Sequence, residues 1–330
     1  IGSAPAQPTE PTPPNPTQPQ AGGDADSARI LEQAIRKTLR KPESEALTSD
    51  DFAKVTALNV STSLKGPKVK DLTFLKQCPN LERLFLQGHA VKDLAPLMNL
   101  TRLTYFNLSR NQVTDLAPLA ELTALKKLYL GFNHITDLTP LEGLTDLREL
   151  SLWNNQITDL QPLAELAQLD RLNLRENLVT DLWPLCDLKS LTRLELPCNY
   201  VSDLMPLEKL TALETLIAPD NQIFDLTPLA SLTELRTLQL EGNQIEDLSP
   251  LEKLTELSML DLDNNQVTDL EPLAKLTKLS SIRLGFNQLS NLRALHGLTH
   301  LETLWLDDNP DLKSPMLEKL EKMLPNCRIH

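Results

Sequence analysis

The chain has 330 residues, 41% of them hydrophobic and 23% charged, which is ample for a sizeable apolar core. A formal net charge of −13 argues against nucleic acid or an anionic membrane as ligand, because phosphate is held mainly by Lys and Arg. No run approaches the ~18–20 consecutive apolar residues of a membrane-crossing helix.

Residues 1–23 hold Pro5, Pro8, Pro11, Pro13, Pro14, Pro16 and Pro19 among Thr, Gln, Ala and Gly. Such a segment buries no core and is expected to be an extended, disordered tether. From Asp24 the pattern turns helical. Asp26 or Ser27 is placed to cap, and Ile30, Leu31, Ala34, Ile35 and Leu39 make an apolar stripe that Pro42 ends. A second short helix is expected from Thr48-Ser49-Asp50-Asp51 through Val55, with Leu58 and Val60 as an entry strand. Residues 24–57 thus read as a helical cap over the open end of a repeat array.

In that array ten asparagines recur at one spacing: Asn111 and every twenty-second residue after it to Asn309. Strict periodicity of this kind makes residues 58–310 a stack of near-identical units. Leu122–Leu141 shows one in full, LTALKKLYLGFNHITDLTPL. Leu128 and Leu130 point inward from a short strand and Tyr129 outward, by the two-residue period. Asn133 turns the chain, its amide serving backbone groups that would otherwise be buried unpaired. His89 occupies this column in the first full repeat, where a two-sided ladder is not expected; it and His134 read as turn or solvated histidines. Asp137 or the Thr before it caps a return turn that Pro140 suits, and 22 residues leave room only for a short 3₁₀ turn there. Residues 311–330 form a C-terminal helical cap: Ser314-Pro315 starts a helix, Pro325 ends it, and Cys327-Arg328-Ile329 adds a final strand.

The four cysteines do not form a disulfide framework. Cys78 and Cys186 lie five units apart, roughly 24 Å at ~4.8 Å per strand. There is no CxxC pair or close His partner, so neither a metal nor another cofactor is expected.

The unit LxxLxxLxLxxNxITDLxPL resembles the bacterial internalin-type leucine-rich repeats, and AIRKTLRKPESEALTSDDFAKVTAL resembles the helical cap that precedes them. The resemblance covers residues 58–309. It implies an α/β solenoid: a right-handed curved array with a parallel sheet on the concave side, short 3₁₀ turns on the back and helical caps at both ends. It further implies that the concave sheet binds protein partners, often on a cell surface.

No nucleophile pairs with a histidine and no glycine-rich phosphate loop is present, so no reaction is nominated and a non-enzymatic protein is expected. Because the repeat fixes its structural columns, specific information lies in the exposed columns that vary. Phe85, Tyr105, Tyr129, Phe132 and Trp153 cluster in the N-terminal half, with Arg171, Arg175 and Arg193 just beyond and Glu195 in the same outward column. Aromatics and Arg dominate interface energy, so these residues are the expected partner-binding site. Tyr200 breaks a ridge column otherwise mostly Gln, and Ile217 is expected to be exposed beside Ala218, which replaces a core leucine. The C-terminal half carries Asp220, Glu241, Asp261, Asp263, Asp307 and Asp308, read first as a solvated strand face, with steering of a basic partner as the alternative. The expectation is a monomeric module for a protein partner, exported or on the envelope of a bacterium and held off by the proline-rich tether. A cytoplasmic regulatory subunit clasping an enzyme and a carbohydrate-binding surface protein are the alternatives.

Overall fold

The computed structural model describes residues 24–60 and 67–330. The proline-rich tether expected over residues 1–23 lies outside them.

Helix α1 (Ala25–Leu39) is capped by Asp24 rather than by Asp26 or Ser27. Asp24 Oδ1 accepts from the Asp26 N–H at 3.3 Å and Oδ2 from the Ser27 hydroxyl at 2.7 Å. Ser27 has a different task. It is fully buried, and its Oγ accepts the N–H groups of Lys70 (2.8 Å) and Asp71 (3.2 Å), docking the helix on the first turn of the array. Leu31 and Ile35 carry the buried stripe. Helix α2 (Ser49–Ala53) starts in a reciprocal capping box between Thr48 and Asp51, and Asp51 also pairs with Lys41.

Thirteen strands form one parallel sheet whose spatial order is their chain order. Strand β1 is Ala57–Asn59 and β2 is Arg83–Phe85; one three-residue strand per repeat then runs to β12 (Thr303–Trp305), and β13 (Arg328–Ile329) closes the sheet. Adjacent repeats pair residue to residue at the period, Leu128 with Leu150 and Leu150 with Leu172. The middle residue of each three-residue strand is buried and its two neighbours face outward, as in β4 (Lys127–Tyr129). Behind the sheet each repeat returns through a 3₁₀ turn such as Thr139–Leu141. The aspartate ahead of the turn accepts from its first N–H, Asp137 Oδ1 to Thr139 at 2.8 Å, and Asn291 does the same for Arg293 at 2.9 Å. The leucines from all repeats merge into one continuous core.

Asparagine binds the turns together. Asn177 Oδ1 accepts from the Ile157 N–H (3.1 Å), while Nδ2 donates to the carbonyls of Leu152 (3.0 Å) and Leu174 (3.0 Å). His89 does this work at the N-terminal edge, contrary to the expectation of a turn or solvated residue. It is buried, Nδ1 accepts from the Val69 N–H at 3.1 Å, and Nε2 lies 2.8 Å from the Val60 carbonyl. An acceptor at Nδ1 and a donor at Nε2 require the neutral ring, and burial followed by repulsion from Lys68 lowers its pKa against the Val60 bond. His134, by contrast, is exposed.

The residue before each of these side chains is left-handed, with φ between 53° and 85° from Gly88 through Arg110, Phe132 and Cys198 to Asp308. Only two of the eleven are glycine, so the array holds bulky residues in a region they rarely occupy. The C-terminal helix α3 spans Ser314–Met323 and buries Leu320.

Candidate protein-binding face

Repeats set side by side at ~4.8 Å turn each outward position into a stack. Phe85 and Tyr129 share one outward column and Tyr105 the other, and the three rings zigzag between the two columns with centroids 4.6 Å and then 5.3 Å apart. The Arg83 guanidinium lies 5.5 Å from the Phe85 ring and 5.6 Å from that of Tyr105, each contact worth about 0.5–1 kcal/mol when exposed. Tyr129 donates to Glu149 Oε1 at 2.7 Å and Lys127 donates to Oε2 at 2.8 Å. Burial raises the Glu149 pKa, but these two donors outweigh it and the net shift is downward. Burial and the Glu149 bond push the Tyr129 phenol up, so it remains a donor.

A second cluster sits where the strands turn. Phe132 and Trp153 have centroids 5.6 Å apart, and the Arg110 guanidinium lies 5.0 Å from one ring and 5.1 Å from the other. Gly131 makes this possible: a Cβ there would fall 2.0 Å from Trp153 Nε1. The indole therefore occupies the space that a side chain at this position of the preceding repeat would fill. Next to it Glu176 accepts from Asn154 (2.5 Å) and from Arg175 (2.9 Å).

The expected arginines are less alike than their spacing implied. Arg193 pairs with Glu195 at 2.5 Å, and Glu195 also accepts from Asn173 at 2.7 Å. Arg171 is exposed, 3.5 Å from Asp170. Arg171, Asn173, Arg193 and Glu195 line a shallow hollow of about 220 Å³ together with Tyr129 and Glu149. Tyr200 is exposed on the ridge beyond the asparagines and joins neither ring stack. Ile217 is half-buried rather than exposed, because it is the last residue of the strand Thr215–Ile217, flanked by strands on both sides. Arg83, Arg110, Lys127 and Glu149 belong to the site and were missed. Periodicity marks a position as outward but not which neighbour it meets one repeat away.

The acidic half departs further from expectation. Asp261 is only 7% exposed, not solvated. Its Oδ1 accepts from the Asp263 N–H at 3.2 Å, the bond that Asn107 makes to Ser109 and Asn173 to Arg175, each at 3.0 Å. A short side chain held this way folds down onto the strand. Burial, with repulsion from Asp263 and Glu241, pushes its carboxyl up to about 6 against the Asp263 bond and Arg283. Burial and Asp307 raise Asp263 as well.

Among the described residues no group of three or more His, Cys, Asp or Glu is placed to hold a metal ion, and no helix is long and apolar enough to cross a membrane. A family model described as leucine-rich repeats (2 copies) matches in overlapping stretches over residues 79–188 and 211–293. A search of curated protein sequences finds no match. Among solved structures, the internalin InlF of Listeria monocytogenes is 30% identical, with TM-score 0.78, 94% of this chain and 98% of that one covered. Internalin C2 of the same organism is 32% identical, with TM-score 0.55, over 75% of this chain and all of that one. The functional domain of InlJ from Listeria monocytogenes shares the fold at 21% identity and TM-score 0.76, covering 88% of this chain and 63% of that one.

Proposed function

Because the chain belongs to the internalin-type leucine-rich repeat family, a family of protein–protein interaction modules, we propose that it binds a protein partner on the concave face of its sheet. The observation that carries this reading is the pair of aromatic clusters, Phe85–Tyr105–Tyr129 under Arg83 and Phe132–Trp153 under Arg110. Rings already ordered by their neighbours, half-buried at all but the exposed Phe132, lose little side-chain entropy on docking, and aromatic and Arg anchors concentrate binding energy. Arg171 and Arg175 pair partner carboxylates at the edge of the patch. The proposed role is that of a scaffold without catalysis, placed outside the cell or on its envelope.

Affinity capture on the intact chain tests the site. Wild type is expected to retain a partner that the Tyr129→Ala/Trp153→Ala double variant loses. Identical captured proteins from both would place the binding site elsewhere.

A further inference from the structure

On the same sheet face, toward the C-terminal end, lies a second hollow of about 380 Å³. Pro219, Met259 and Trp305 contribute apolar walls, while Glu241, Asp261 and Arg283 supply charge. Met259 and Asp261 are the two outward residues of strand β10 (Met259–Asp261). Asp261 is more than nine-tenths buried yet lines this opening. Among the described residues the one hydrogen bond of its side chain is that from the Asp263 N–H to Oδ1. Oδ2 has only the Arg283 Nε, at 3.8 Å, too far for a hydrogen bond. Arg283 is drawn instead over the Trp305 ring, 4.5 Å from its centroid.

Charge here does not balance. Glu241 and Asp263 both repel Asp261, and Asp307 repels Asp263; among the described residues the single cation acting on Asp261 and Asp263 is Arg283. In the N-terminal half Glu149, Glu176 and Glu195 each accept from a cationic side chain. Carboxylates held in a half-buried hollow with a shortfall of positive charge are poised for an incoming cation. Trp305 is already covered by Arg283 and stacked on His330, 5.3 Å between centroids, so the incoming group meets the apolar walls of Pro219 and Met259, which favour a planar, weakly hydrated guanidinium over an ammonium. We propose that this hollow receives an arginine side chain of the bound protein, its guanidinium pairing with Asp261 and Glu241 and its stem lying on Met259. The assignment rests on the sheet face being the binding face and names one feature of the partner.

The test uses the intact protein and two capped tripeptides, acetyl-Gly-Arg-Gly-amide and acetyl-Gly-Lys-Gly-amide, followed by the NMR signals of the three tryptophan indoles. The arginine peptide should shift Trp305 saturably and leave Trp153 and Trp183 unmoved. Its apparent affinity should fall about tenfold in Asp261→Asn and in the exposed variant Glu241→Gln. Glu234→Gln, an exposed acid outside the hollow, should leave it unchanged. Binding should also weaken as pH falls through about 6, where Asp261 takes up a proton. Equal binding by the lysine peptide, equal shifts at all three indoles, or undiminished affinity in Asp261→Asn would overturn the proposal. The Tyr129→Ala/Trp153→Ala variant should still bind the arginine peptide, so failure at one site is separable from failure at the other.

Discussion

The two halves of the sheet face are built on one repeat and present their side chains from the same columns, yet they treat charge in opposite ways. In the N-terminal half Glu149 accepts from Lys127 and Tyr129, and its carboxyl is held below the usual range. In the C-terminal half Asp261 and Asp263 face one another and other acids, and both are pushed up. The column decides which way a side chain faces. The neighbour 22 residues away decides whether burial stabilises or strains it. Charge partners across repeats, not the repeat itself, distinguish a satisfied surface from one that is poised for a ligand.

If that contrast resides only in displayed residues, the scaffold beneath must be equally strong in both halves. Asn133 and Asn265 each accept one backbone N–H at 3.0 Å and donate to surrounding carbonyls. Asn133→Ala and Asn265→Ala should therefore cost the same, roughly 3 kcal/mol, by leaving buried backbone groups unpaired. Urea unfolding that differed widely between them would break the comparison at its base.

The next largest effects should have opposite signs. Asp261 is raised above its unfolded value near 3.9, so the folded chain holds that proton more tightly. The resulting stability is present below the unfolded pKa and lost as pH rises through about 6. Asp261→Asn should therefore stabilise at pH 7 by roughly 1–2 kcal/mol, and asparagine already occupies the column at Asn107 and Asn173. Glu149 is lowered, so its stability is present above the unfolded pKa and lost as pH falls through the folded one. Glu149→Gln should destabilise at pH 7 by about 1 kcal/mol. Denaturation of both variants at pH 7 and pH 4.5 checks the signs.

Glycines at one column sharpen the contrast further. A Cβ at Gly131 would meet the Trp153 indole at 2.0 Å, whereas one at Gly285 would meet Asp263 Oδ1 and the Asp307 carbonyl at 3.3 Å. Gly131→Ala should lift the indole off, shift its fluorescence and cost on the order of 1 kcal/mol. Gly285→Ala should be close to neutral, because reduced freedom of the unfolded chain offsets the tight contact.

The smallest expected change is at the array's N-terminal edge. His89→Asn keeps an acceptor for Val69 but reaches less far toward Val60, for a loss of about 0.5–1 kcal/mol at pH 8. Its lowered pKa makes the His89 contribution full above the unfolded value and lost as pH falls through the folded one. The acid limb of the stability profile should accordingly flatten in the variant.

Legibility followed the period. Leu128, Asn133, Asp137 and Pro140 announce strand, ladder, cap and turn because each serves the same backbone need in every repeat. The aromatic residues of the candidate site were visible as breaks in that pattern, while the Arg83 and Arg110 that cover them were not. A cation–π contact depends on where a long side chain lies across two repeats, and nothing in the spacing encodes it. His89 was misread for a related reason: its column was recognised, but the backbone groups it meets in the preceding turn come only with the folded cap.

By itself, then, the amino-acid order determined the solenoid, its strand register and which positions face out, because a 22-residue repeat of leucine and asparagine has one way to bury its apolar side chains and pair its backbone. Tertiary structure alone decided that Asp261 is buried, that Trp153 rests on Gly131, and that the carboxylates of one half are paired with cations while those of the other repel one another. Those outcomes depend on distances between side chains in neighbouring turns, and on the dielectric each carboxylate meets there, which no single repeat contains.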